Sequence, residues 1–390
     1  MDRNPRRGRD RGNEPDIPGL ERLDARATDL ARDLLKRFRR KGELKYEFEK
    51  IIGHGSWGFT MKMRVNDGDS GPSLLPKKVK RFVIKRALTE GAQANLRREL
   101  GFLQQLQGSM NIQQLYHVEG EPVAGTISWL KGPSLVSEWI ENGLIQDLLG
   151  RIADWNQPLP NRMLWRIFLC FVRMLVAMAW PGVAIQRNEV LPRTGPSGNR
   201  PLKSRILHGD FNIQNVMVGD FDQLDHRLVP IIKLIDFGGA SELPDTQSPE
   251  SAAKANMYYV GEIMLSLIGG GSAKYGSANM LVSAKGKTTT IKSNARDLDG
   301  LNPVYKAPQA TVKAHKAKMD NLDGDLRNLV IRCLAVKIED RPALEELAEE
   351  VERHVKEKRQ EHYAGKQYYN NESDMAIRRI AGELMCNAAN

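Results

Sequence analysis

The sequence predicts an α+β chain, on three observations. Between Tyr46 and Lys85, short alternating apolar runs are punctuated by glycines, as strands and tight turns require. From Met163 onward the apolar runs reach helix length, at Met163–Trp180, Asn256–Ile268 and Leu322–Val336. Within that second part, Ile206–Ala240 (ILHGDFNIQNVMVGDFDQLDHRLVPIIKLIDFGGA) gathers two separated carboxylates, an amide and several strand-like runs into one segment.

A length of 390 residues accommodates two or three average domains, or one two-lobed domain with tails. With 41% hydrophobic and 27% charged residues, the composition is that of a globular protein able to bury a large core. The three cysteines, Cys170, Cys333 and Cys386, are far apart and odd in number, which suggests neither a disulfide framework nor a zinc site. That favours a reducing, intracellular setting, cytoplasm or nucleus. The chain opens MDRNPRRGRDRG, without a hydrophobic leader. Its most apolar helix-length run, Met163–Trp180, is interrupted by Arg166 and Arg173 on one helix face, so a buried amphipathic helix is expected and no membrane span. The formal net charge of +10 is concentrated in the two ends and one internal stretch. Solvated tails account for it, and without an aromatic-interleaved basic motif nucleic acid is not an expected partner.

Residues 1–18 are rich in Arg, Gly, Asp and Pro and lack apolar periodicity, so a disordered basic tail is expected. Residues 19–45 form a helical extension, with Leu23, Leu30, Leu34 and Phe38 near helical spacing and docking in cis as the common outcome. Gly53, Gly55 and Gly58 then make a G-x-G-x-x-G between two alternating runs. A strand carrying a lysine follows them, rather than the helix of a dinucleotide fingerprint. Glycine there lets backbone amides approach phosphate oxygens. Asn66–Pro76 is a loop and Val79–Lys85 (VKRFVIK) a strand, in which the apolar pair before Lys85 makes a half-buried position. Ala92–Leu106 is an amphipathic helix with Glu99 on the edge of its leucine face. Thr126–Leu149 holds two strand-like runs and a Glu141-Asn142-Gly143 bend into a helix, and Gln186–Lys203 reads as an inserted loop. Gly269–Lys318 is Gly-, Lys- and Thr-rich with little periodicity, a long and partly disordered insertion. Asp340-Arg341-Pro342 leads into a further helix, Pro suiting its first turn and Asp its positive end. Residues 351–390 are a charged tail, helical in places, without readable chemistry.

The chemistry is concentrated in Ile206–Ala240. His208, Asp210 and Asn215 form H-x-D-x-x-x-x-N, a Val216-Met217-Val218 run follows, and Val229–Ile235 reads as a strand delivering Asp236-Phe237-Gly238. One carboxylate can orient an attacking hydroxyl while the amide and the second carboxylate hold magnesium against nucleotide phosphates. With these motifs in this order, the chain resembles the protein-kinase superfamily over about residues 46–350. The resemblance implies a two-lobed fold, with a β-rich N-lobe over 46–140 and a larger helical C-lobe over 141–350. It implies ATP and Mg2+ as cofactors and a protein hydroxyl as acceptor, the activity of a serine/threonine kinase. In that family pattern Asp210 is the catalytic base, and Asn215 and Asp236 hold the metal. Lys85, paired with Glu99, and the Gly53, Gly55, Gly58 loop would place the phosphates. Val83, Met217 and the hinge around Glu138 and Ile140 would contact adenine, with Ser137 guarding the inner pocket. Ser248-Pro249-Glu250 stands for the family's A-P-E, and Arg341 would pair with Glu250.

The chain departs from the family at several positions. Val83 replaces an alanine and narrows the adenine pocket. Gly209 replaces the arginine that receives a phosphorylated loop, and Asn212 replaces the lysine that approaches the transferred phosphate. Asn256 stands where an aspartate braces the catalytic loop, losing a charge but keeping a hydrogen-bonding group. The interval after Asp236 is short and has no clear peptide-docking loop. An H-G-D loop without that lysine resembles small-molecule kinases of the aminoglycoside and choline type. A third reading is a pseudokinase serving as a binding scaffold.

Overall fold

The structure, a computed structural model, describes residues 25–40, 46–55, 58–65, 79–118, 121, 123–127, 132–183, 189–195, 198–270, 276–284, 286–298 and 319–386. It is mixed α+β and divides into two compact units, one comprising the chain up to Arg97 with Tyr116–Trp139, the other Arg98–Leu115 with Ile140 onward. The division between Trp139 and Ile140 falls next to the expected hinge, whereas the 98–115 stretch joins the second unit. The expected tail 1–18 lies outside the described residues, as do the 66–76 loop and residues 299–318 of the expected insertion.

In the first unit, helix α1 (Ala25–Arg40) precedes an antiparallel sheet of strands β1 (Tyr46–Gly55), β2 (Gly58–Val65), β3 (Arg81–Ala87) and β4 (Ser134–Glu138), paired in that order. Residues directly opposite each other in an antiparallel ladder share a face, and here the alternation sorts them into two. One face carries Met61 and Met63 of β2, Phe82 and Ile84 of β3 and Val136 of β4, all in a single buried cluster with Tyr46 and Phe59. Ala27, Ala31 and Leu34 of α1 belong to the same cluster, so the extension docks in cis. Two alanines one turn apart let the helix come close to the sheet. Burying Leu34 adds about 1.5–3 kcal/mol. Leu30 is partly buried against the cluster, while Leu23 and the side chain of Phe38 lie outside the described residues. On the opposite face, registered rows run Gly53, Thr60, Lys85, Leu135 and Lys62, Val83, Ser137. The chain reaches β4 through Gly132 (φ +83°), whose carbonyl accepts from the buried Arg86 guanidinium at 2.8 Å. Of the two strand-like runs expected within 126–149, β4 is the one among the described residues.

Helix α2 (Glu90–Gln105) spans the division at Arg97. The second unit is built on helices α3 (Ile145–Trp155), α4 (Asn161–Ala179) and α5 (Pro249–Gly269). All of α4 except Arg166, Leu169 and Arg173 is buried, as the two arginines on one face predict. Two short ladders support the central loop: β5 (Ile206–Leu207) with β8 (Ser241–Glu242), and β6 (Val216–Val218) with β7 (Ile232–Leu234). Residues 111–113 add to the free edge of β7, with Leu234 N–H donating to the Asn111 carbonyl at 2.9 Å and Gln113 N–H to the Leu234 carbonyl at 2.9 Å. That pairing ties 98–115 to the second unit.

Four details differ from or add to expectation. Within the 269–318 stretch, read as a partly disordered insertion, β9 (Ala278–Ala284) and β10 (Lys287–Ser293) form a hairpin, and Asn328 holds its edge through the Ser283 amide and carbonyl at 2.8 and 2.6 Å. Helix α5 starts at Pro249 rather than Asn256, because Ser248 caps it, accepting from Ser251 N–H, and Pro249 suits the first turn. After α6 (Gly324–Cys333), helix α7 (Leu344–Glu357) starts two residues beyond Pro342, so Asp340-Arg341-Pro342 precedes the helix instead of opening it. Finally, the boundary at 350 falls inside α7, and the stretch after it, ending in α8 (Asp374–Met385), is part of the second unit. Buried Lys358 donates to both carboxylate oxygens of Asp323, the cap of α6, at 2.7 Å each, and Tyr363 adds a third bond at 3.0 Å. Buried Glu372 caps α4 from 211 positions away, accepting from Asn161 N–H at 2.7 Å, and it accepts from Arg162 N–H at 2.9 Å. Two otherwise orphaned helix amides are thereby satisfied. Among the described residues no helix is long and apolar enough to cross a membrane.

Candidate active site

The loop from His208 to Asn215 is held from beneath by an amide. Buried Asn256, on α5, accepts from His208 N–H at 3.1 Å and donates to the Ile206 carbonyl at 2.8 Å. An aspartate could accept the first bond but not donate the second, so asparagine matches the local demand. His208 is fully buried, its Nδ1 accepting from Asp210 N–H at 3.3 Å and its Nε2 lying 3.0 Å from the Ile235 carbonyl. That pair fixes the neutral tautomer with the proton on Nε2. Burial pushes the imidazole below its ordinary range, opposed by the Ile235 carbonyl. The ring also meets Phe237 edge-on, 4.7 Å between centroids. His208 thus ties the Asp210 end of the loop to the Asp236 end.

Gly209 is obligatory for a packing reason. Its φ is +77°, and a Cβ there would lie 2.2 Å from the Gly239 carbonyl oxygen. An arginine at this position is incompatible with this backbone. Immediately after it, Asp210 is exposed at the surface of the second unit, with two amides on its carboxylate. Asn212 Nδ2 donates to Oδ1 at 2.6 Å, and Asn215 Nδ2 donates to Oδ2 and to the Asp210 carbonyl at 2.8 Å each. Both amides hold the carboxylate in one orientation without neutralising it. Asn212 therefore positions Asp210, and its own oxygen accepts from Gln214 N–H at 2.8 Å.

Asn215 and Asp236 come to the same end of the β6–β7 ladder. Val216 pairs with Leu234, and Ile235 N–H donates to the Asn215 carbonyl at 2.9 Å, one residue before Asp236. Asp236 adopts a left-handed conformation (φ 59°, ψ 75°), and its Oδ1 accepts from Gly238 N–H at 3.2 Å. A non-glycine residue in this region is strained, a condition that clusters at functional sites. Buried Glu99 reaches the same turn: a Cβ on Gly238 would lie 3.7 Å from its Oε2 and 3.1 Å from Asp236 Oδ1. Met217 is half-buried on β6, bridged to Leu144, and buried Ile140 lies against Gly219.

Among the described residues no group of three or more His, Cys, Asp and Glu side chains could hold a metal ion. The candidate donors are instead one amide and one carboxylate. With Asn215 Nδ2 committed to Asp210, its oxygen is the atom left for a cation, and Asp236 supplies carboxylate oxygen. Such a sparse hard-oxygen set fits magnesium, which takes one or two carboxylates when phosphates and water complete its shell.

Gly53, Gly55, Gly58, Val83, Lys85 and Glu138 lie in the first unit. Gly53 and Lys85 occupy one row of the face opposite the α1 core, separated by Thr60. A Cβ on Gly53 would meet only the Thr60 side chain at 3.6 Å, an ordinary contact, so packing does not demand this glycine. Gly58 differs: a Cβ there would lie 2.2 Å from the Arg86 carbonyl, so the β2–β3 pairing demands it. Gly55 pairs with Gly58 across the turn, whose tip, Ser56 and Trp57, lies outside the described residues. Val83 is buried beside Ser137, and Glu138 ends β4 opposite Phe82. Burial, then the Glu138 charge, pushes the Tyr116 phenol up to about 12.

The expected Arg341–Glu250 pair is absent. Arg341 donates to the Ala335 and Lys254 carbonyls at 3.0 and 2.9 Å and its guanidinium stacks on Tyr258 at 4.7 Å. Glu250 binds Lys203 instead and accepts from Leu344 N–H at 3.1 Å. Lys203 also reaches Glu345 at 2.7 Å, joining the starts of α5 and α7. Lys203 lies in a Pro- and Gly-rich stretch read as a loop, and no spacing rule signals its role. Compared with known proteins, the chain matches no family model and no curated protein.

Proposed function

We propose that this chain is an ATP- and magnesium-dependent phosphotransferase with a divergent protein-kinase-like fold, moving the γ-phosphate to a serine or threonine hydroxyl of a protein. The observation that carries the reading is the Asp210 carboxylate, oriented by Asn212 and Asn215 on a loop braced by Asn256 and tied through His208 to the turn holding Asp236. Asp210 would accept the proton of the acceptor hydroxyl as its oxygen bonds to phosphorus and ADP leaves with the other half of the broken bond. Asn215 and Asp236 would hold the magnesium, which when bound neutralises phosphate charge. The Gly53 backbone and Lys85, in one row, would take the phosphates, Val83, Met217, Glu138 and Ile140 would contact the nucleoside, and Glu99 would steady the cation–phosphate end. Positioning and charge are the main contributions to such a transfer.

One observation favours a second acceptor class. Only Ser241–Gln247 separates the Asp236 turn from the Ser248 cap of α5, and part of that is strand β8, leaving little chain for a peptide platform. A small hydroxyl compound is the acceptor this geometry would then suit. The test is magnesium-dependent ATP binding by thermal shift, followed by phosphate transfer to a generic protein, to the chain itself and to a panel of amino-alcohols. Asp210→Asn is expected to keep the ATP shift and lose transfer by about 100-fold or more. Absence of any magnesium-ATP shift overturns the enzyme reading, and transfer confined to small molecules overturns the protein acceptor.

A further inference from the structure

A cavity of about 280 Å³ in the second unit lies among Arg166, Leu169 and Arg173 of α4, Val190, the Leu224–Val229 loop and Glu352, Val355 and Lys356 of α7. None of the residues assigned to phosphate transfer line it. Its polar atoms are unmatched in an unusual way. His226 is 6% exposed, and its Nδ1 faces Cys170 Sγ at 4.0 Å while its Nε2 has no partner among the described residues. If the Cys170 thiol donates to Nδ1, the imidazole proton sits on Nε2, a buried donor with nothing to receive it. Asp225 Oδ2 is the converse, a buried acceptor without a donor among the described residues. Buried polar atoms in folded proteins are satisfied with few exceptions, and each exception asks for a cause.

The charges point the same way. Among the described residues Arg166 makes no hydrogen bond or ion pair, and burial, then nearby Arg162, push its guanidinium below its ordinary range against the charge of Asp374. Lys356 is offset by Glu352 at 2.9 Å, whereas Arg166 meets only the longer-range charge of Asp374, which is itself bonded to Arg162. A half-buried cation without a carboxylate is costly unless an anion reaches it. Guanidinium presents paired donors suited to carboxylate or phosphate. Leu169, Val190 and Val229 supply apolar wall for a short carbon skeleton.

We propose that this cavity is a binding site for a small organic acid, phosphate or carboxylate, that also carries a hydroxyl, with the acid group on Arg166 and His226 Nε2 and the hydroxyl donating to Asp225. The volume admits a molecule of three or four carbons, below the usual size of drug-like sites. The proposal stands independently of the phosphotransfer reading, since it uses none of the same residues.

Titration calorimetry on the full chain with glycerol 3-phosphate, glycerate and inorganic phosphate tests it. Saturable one-site binding is expected for at least one of the first two, which between them separate phosphate from carboxylate as the acid group. Inorganic phosphate, without a hydroxyl, is expected to bind more weakly. Arg166→Gln is expected to weaken binding by about tenfold or more. Arg166 is partly exposed and ends no hydrogen bond among the described residues, so the variant is expected to melt like the wild type; Arg166→Met, which keeps the apolar stem, serves if it does not. Lys85→Met is expected to bind the probes unchanged. Absence of saturable binding by any probe overturns the proposal. So does unchanged affinity in the folded arginine variants, or loss of binding in Lys85→Met, which would move the phosphate to the glycine-loop row.

Discussion

Asn256→Asp restores the residue that the kinase resemblance expects, and the structure makes it destabilising. The side chain is 2% exposed, accepts from His208 N–H and donates to the Ile206 carbonyl at 2.8 Å. A carboxylate keeps the first bond but sets an oxygen against the Ile206 carbonyl and buries a charge. An unmatched buried acceptor costs about 1–3 kcal/mol, and ionisation adds to it, so a loss of about 3 kcal/mol at pH 7 is expected. For a unit of this size that is about 6–12 °C of Tm. Burial and the facing carbonyl raise the folded-state pKa of the new carboxyl above its unfolded value of about 3.9. The stability it offers is therefore complete below about pH 4 and lost as pH rises through the folded pKa. Protonated, it can donate to Ile206 as the amide did. Melting curves of wild type and variant at pH 7.5, 6 and 5 should show a gap that narrows with acid. A gap under about 2 °C at pH 7.5, or one that widens with acid, would refute the reasoning.

Gly209→Ala places a Cβ against the Gly239 carbonyl at a φ of +77°. It should cost at least about 2 kcal/mol in chemical denaturation, and a variant as stable as wild type would contradict the loop geometry. Glu372→Ala orphans the Asn161 and Arg162 amides and is expected to cost about 2–4 kcal/mol, with faster hydrogen exchange at the first turn of α4. His354 stacks on Trp165 and is held at about 4 by burial, Lys358 and Arg353, against Asp325 and Asp323. Because the folded pKa is lowered, its contribution is intact above about pH 6.5 and is lost as pH falls toward about 4. In His354→Gln that part of the acid dependence should flatten in parallel denaturation series.

The first unit was legible where its sheet buries one face: alternation in TMKMRV encodes which residues of β2 point to the core, whereas RFVIK of β3 is buried on both faces and reads as a continuous apolar run. The helices of the second unit were legible for the same reason at a longer period. Asp210, Asn215 and Asp236 could be named as a group because short loops and a short ladder keep them near in sequence. What the sequence could not reveal depends on partners far away in the chain. Lys203 rather than Arg341 reaches Glu250, and neither charge pattern nor spacing distinguishes the two cations. Glu372 looks like any charged tail residue until the helix end it caps is in view. The 278–293 hairpin was missed because the alternation of its outer face is polar, and a short ribbon leaning on α6 buries few of its side chains.

The cap that Glu372 places on α4 also has a consequence in time. Helix α4 buries all but three of its residues, yet two of its first amides are answered 211 and 210 residues later. On a ribosome adding roughly 5–20 residues each second, that interval is about 10–40 s. During it, the start of the central helix stands without its anion, and the buried Asp323–Lys358 pair is likewise half made. The partners that close the helical unit are therefore made well after its central helix, and the unit is complete only once residues 358–372 have been synthesised.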